Sequence, residues 1–114
     1  LRLHRQLMEA MRASAGELLN RYALNEVTYI SRVTSLSKQW IVWYDDQLNI
    51  KAQIDEAQID ADQALAIGEQ NGIAALEIQF GWVKERPAVI VEDQNRELML
   101  DAATLEKLML YEKR

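Results

Sequence analysis

The single histidine, His4, is the only side chain in this sequence with an ordinary pKa near neutrality. For it to serve as the base of a Ser-His-Asp site, one of Ser14, Ser31, Ser35 or Ser37 would have to come beside it. General-base histidines also need an orienting shell, so a solvated helix histidine is the expectation here. There is no cysteine, which removes thiolate zinc sites, iron–sulfur clusters and cysteine nucleophiles. No glycine-rich run precedes a Lys-Ser or Lys-Thr, so a phosphate loop is absent.

Carboxylates are the densest reactive groups. Asp55, Glu56, Asp60 and Asp62 fall close together, with Asp45 and Asp46 just before them. Oxygen ligands at helical spacing suit Mg²⁺, but the glycine and terminal glutamate of an EF-hand loop are missing. Asp55, Asp62 and Glu69 recur at seven residues on a face away from the apolar stripe, where solvated charge belongs. Neither a metal nor a cofactor is expected. Basic residues concentrate in the first third, at Arg2, Arg5, Arg12, Arg21, Arg32 and Lys38. Residues 1–44 carry net +3, residues 45–71 net −6 and residues 72–114 net −2, which gives the total of −5. That balance disfavours bulk affinity for nucleic acid, whose binding is largely electrostatic.

The most informative segment is Trp40-Ile41-Val42-Trp43-Tyr44. Five consecutive apolar residues cover more than one helical turn and must be buried on several sides, either in the core or against another chain. It is also the longest apolar run, far short of the roughly twenty residues of a membrane span.

The elements expected to position these residues are mainly helical. The first 70 residues contain no proline, and a seven-residue pattern runs through Leu19, Val33, Trp40 and Ile54 and through Tyr22, Tyr29, Leu36, Trp43 and Ile50. A break is expected around Asn20 to Asn25, giving helices over residues 2–20 and 26–70. The second would run about 45 residues and about 68 Å, ending at Gly68 and Asn71-Gly72. Leu76, Ile78, Phe80 and Trp82 alternate as a strand does, Pro87 breaks that element, and Ala88–Val91 with Leu98–Leu100 form a hairpin turning at 93–96. Asp101 is expected to cap a final helix bearing Leu105, Leu108 and Met109.

The fold expected from sequence is therefore mostly α with a small β element: a coiled-coil-like region at 1–72, then a β-hairpin with a C-terminal helix at 73–114, all in one domain. The function expected is a non-catalytic interaction or assembly module, cytoplasmic, associating with itself or another protein. Its interface residues are Tyr29, Val33, Leu36, Trp40, Trp43, Tyr44, Ile50 and Ile54. The alternatives are a DNA-binding regulator using the basic third and a metal-dependent hydrolase on the acidic face. The chain opens on Leu1 without Met and reads as a segment trimmed from something longer.

Overall fold

Residues 28–44 hold Thr28, Tyr29, Ile30, Val33, Thr34, Trp40, Ile41, Val42, Trp43 and Tyr44. These β-branched and aromatic types fit a pleated surface better than a helix. In the computed structural model, which describes residues 2–19 and 28–114, this stretch is two antiparallel strands. The mostly α, coiled-coil expectation is thereby overturned, and with it the 26–70 helix. The break expected near Asn20 to Asn25 lies outside the described residues.

The chain divides into two units, 1–58 and 59–114, each a short helix followed by a four-stranded antiparallel meander. In the first unit, α1 (Arg2–Ala10) precedes β1 (Ala15–Leu18), β2 (Tyr29–Ser35), β3 (Lys38–Tyr44) and β4 (Ile50–Asp55), and a 3-10 turn follows at Glu56–Gln58. In the second, α2 (Ala61–Gln70) precedes β5 (Gln79–Val83), β6 (Arg86–Glu92), β7 (Arg96–Asp101) and β8 (Lys107–Glu112). Sheet order follows chain order in both. The final helix expected after Asp101 is instead strand β8. Leu105, Leu108 and Met109 have helical spacing, but Leu105 lies in the turn before β8, and residues 107–112 pair with β7.

The two units repeat the same devices. Each helix closes with paired 6→1 and 5→2 hydrogen bonds around a left-handed residue. In α1, Ala13 N–H donates to Met8 O and Arg12 N–H to Glu9 O, with Arg12 at φ 51°. In α2, Ile73 N–H donates to Gly68 O and Gly72 N–H to Glu69 O, with Gly72 at φ 78°. Each sheet contains a two-residue hairpin with both central residues left-handed: Leu36-Ser37 between β2 and β3, and Lys84-Glu85 between β5 and β6. The last loop of each meander starts on an aspartate and carries a left-handed leucine, Asp45 with Leu48 and Asp101 with Leu105. The aspartate carboxylate accepts backbone N–H groups inside the loop, from Gln47 and Asn49 in one case and from Ala103 and Thr104 in the other.

Inside the first unit, Leu7 of α1 packs with Val33, Val42 and Tyr44 on one sheet face. Ile30, Ile41 and Trp43 point to the other face and are fully buried as well. Inside the second unit, Ala64 and Gly68 turn α2 towards the sheet. A Cβ on Gly68 would come within 2.5 Å of Val91 Cγ1, so the glycine permits close helix–sheet approach. Of the stop expected at Gly68 and Asn71-Gly72, the helix runs through Gly68 and ends at Asn71-Gly72. Pro87 does not end an element either. It is the second residue of β6, paired with Trp82, near the strand start where a missing N–H is tolerated.

Leu36 is 94% exposed at φ 54°, a conformation that costs a bulky L-residue about 1–2 kcal/mol. Replacing Leu36-Ser37 with Asn-Gly, the pair best suited to this turn, is expected to raise stability by about 1 kcal/mol. Thermal melting should show a midpoint higher by several degrees; an unchanged or lower midpoint would mean the left-handed pair carries no strain.

Candidate functional site

The fold does bring the only histidine to a serine. His4 Nδ1 lies 2.8 Å from Ser31 Oγ, and Ser31 Oγ lies 2.7 Å from the Tyr44 hydroxyl. α1 supplies the first group, β2 the second and β3 the third. Burial of the ring disfavours the imidazolium and lowers the His4 pKa below its ordinary 6.5. A neutral ring accepting at Nδ1 gives one directed chain, Tyr44 O–H to Ser31 and Ser31 O–H to His4. Burial raises the Tyr44 pKa, so the phenol also stays protonated. Ser31 is fully buried and its second partner is a phenol, not a carboxylate. No acyl group can reach such a hydroxyl. The chain of three pins α1 to its sheet and satisfies polar atoms that would otherwise be buried without partners.

The acidic run is dispersed by the fold. Asp45 closes the β3–β4 loop, and its hydrogen bonds from Asn49 hold its pKa below the ordinary 3.8. Asp55 accepts the Ala57 N–H, and Asp60 caps α2 by accepting the Gln63 N–H at 2.9 Å. Glu56 meets Arg32 through two bonds, Nε to Oε1 at 2.8 Å and Nη2 to Oε2 at 2.9 Å. Among the described residues, no three His, Asp or Glu side chains converge to hold a metal ion.

The basic third is equally divided. Arg32 spans Glu56 and Glu17, and Lys38 lies over the Trp40 ring at 5.6 Å and 3.7 Å from Asp55. Arg2, Arg5 and Arg12 are exposed on or just beyond α1, and Arg21 lies outside the described residues.

The residues expected at an interface separate into two groups. Val33, Trp43 and Tyr44 are fully buried, and Tyr29, Trp40 and Ile54 are half-buried. Leu36 and, less fully, Ile50 face solvent.

A surface feature that the apolar stripe did not indicate lies in the second unit. The outward side of α2 and the segment 72–76 enclose an open groove of about 570 Å³. Leu65, Ala66, Ile73 and Ala75 form its apolar lining, and Asp62 and Glu69, seven residues apart, flank it on the helix. Leu76 stands at its edge with 99% of its surface exposed. The alternation of Leu76 with Ile78 and Phe80 suggested a strand, but β5 starts only at Gln79. The seven-residue spacing of Asp62 and Glu69 is visible in sequence as a solvated face; the groove between them depends on how residues 72–76 return along α2 and has no sequence signal.

Comparison with protein-family models, with curated proteins and with solved structures gives no match. Among the described residues, no helix is long and apolar enough to cross a membrane.

The depressed His4 pKa sets a sign for stability. As pH falls, the unfolded chain takes up a proton near 6.5 before the folded chain does. The contribution is full above that value and is lost as pH falls through the lower, folded value. The Asp45 and Asp93 carboxylates, both held below 3.8, are lost only in a second, more acidic window. Denaturant melts from pH 7.5 to 3 should show both steps, and His4→Gln should flatten the first alone. A wild-type profile flat between pH 6.5 and 4.5 would refute the assignment.

Proposed function

We propose that this chain is a non-catalytic protein-interaction module whose second unit receives another polypeptide in the groove along α2. The observation that carries this reading is Leu76, almost wholly exposed beside an apolar-lined groove. A side chain of that type gains about 1.5–3 kcal/mol when covered, and its own fold leaves it uncovered. The volume suits a few side chains of a partner. In its native cells, a photo-crosslinking residue at position 76 should form a discrete adduct. The same residue at exposed Ala103 should not. Absence of any adduct at 76, or one identical pattern at both sites, would sink the proposal.

Self-association is a second reading, favoured by edge strand β8. Met109 and Tyr111 are 40% and 54% exposed there, on the face shared with Met99. Edge strands with exposed apolar side chains are templates for pairing. Lys84 Nζ opposes it, since it donates to the Leu108 carbonyl at 3.0 Å and occupies that acceptor. Sedimentation at micromolar concentration should give at least twice the 13.2 kDa chain mass if β8 pairs with a copy. Met109→Lys should then restore the single-chain mass, whereas a monomer in the unmutated protein removes this reading.

A further inference from the structure

The groove's rim specifies its occupant. Residues 59–114 hold eleven acidic and six basic side chains, whereas residues 1–58 hold seven of each, so the whole net charge of −5 belongs to the second unit. Most of that unit's cations are engaged. Arg86 meets Asp101 and Glu106, Arg96 meets Glu112, and Lys113 meets Glu92. Lys84 and Lys107 donate to the Leu108 carbonyl and to Asn71. Asp62 and Glu69, both exposed, have no ion-pair partner among the described residues.

We infer that the groove binds a short basic segment of a partner polypeptide, one large apolar side chain flanked by Lys or Arg. This deepens the interaction reading and rests on it. The apolar side chain enters between Leu65, Ala66, Ile73 and Leu76, where it removes apolar surface from water. The flanking cations reach Asp62 and Glu69 on either side. Those two positions are two helical turns apart, about 10.5 Å, which an extended peptide spans in about three residues. A second copy of the acidic unit would set carboxylate against carboxylate, and nucleic acid or an anionic lipid surface would meet the same repulsion.

The test is titration of the isotope-labelled full chain with three synthetic peptides of equal length, followed by backbone amide shifts. One carries leucine flanked by lysine and arginine, one the same leucine flanked by glutamate, and one lysine and arginine around serine. Only the first should move the amides of Leu65, Ala66 and Leu76. Its Kd should weaken about tenfold in Leu76→Ser and about fivefold in the Asp62→Asn, Glu69→Gln double variant. It should also weaken as salt rises from about 50 to about 300 mM. The inference is overturned if the glutamate peptide binds as tightly, if the shifts map outside 62–76, or if neither variant changes the Kd. It also falls if no peptide binds. In that case a persisting adduct at position 76 would leave the interaction reading standing, and loss of that adduct would remove both.

Discussion

Everything in this chain depends on where the backbone turns left-handed. Eight described residues have positive φ, and seven of them are not glycine. They fall four to a unit: Arg12, Leu36, Ser37 and Leu48, then Gly72, Lys84, Glu85 and Leu105. Each lies at a reversal, the end of a helix or the bend of a hairpin. Strand side chains alternate in direction, so a slip of one residue at Leu36-Ser37 would send Val42 and Tyr44 to the sheet face opposite Leu7. Left-handed backbone is costly for such residues, and they hold it because pairing and packing on both sides leave no other register.

That constraint also explains what could be read in the sequence. The hairpin of β6 and β7 was legible because Asp93-Gln94-Asn95 is overt turn chemistry between β-branched and apolar runs, and the Asn71-Gly72 stop was legible because glycine announces a left-handed position. Leu36-Ser37 and Lys84-Glu85 announce nothing. With the first of them unseen, residues 26–70 looked uninterrupted, and a 4–3 apolar spacing passed for a coiled coil. Tyr29, Val33, Leu36, Trp40 and Trp43 satisfy that spacing, while in the two-stranded ribbon Tyr29, Val33 and Trp40 share one face, Trp43 takes the other and Leu36 sits in the turn. Ten β-favouring residues among the seventeen of 28–44 favour strands over that helical spacing. Tertiary pairing won over helix propensity, as it commonly does.

The candidate site was less legible than the fold because its meaning depends on assignments made elsewhere. A list of carboxylates in sequence suggests a metal or a catalytic pair. In the fold, Asp45 and Asp55 accept local N–H groups, Asp60 caps α2, and Glu56 clasps Arg32. His4 is absorbed into a chain of hydroxyls that seats a helix. Side chains that look reactive in sequence are here held by backbone donors or by each other, and each holds an element in place. Asp62 and Glu69 stand apart from these structural pairs, and the sequence alone does not distinguish them from their neighbours.

The size of the available interaction limits the kind of binding the groove supports. Covering one leucine contributes at most about 3 kcal/mol, and each exposed ion pair adds about 0–1 kcal/mol. The sum is at most about 5 kcal/mol before the loss of rotational and translational freedom, which corresponds to millimolar affinity at best for an isolated contact. A groove of this depth therefore does not hold a partner permanently by itself. Under the proposed reading it would act as one contact of several, or as an exchangeable one whose lifetime follows ionic strength. Linkage among several such weak contacts raises affinity without deepening any of them.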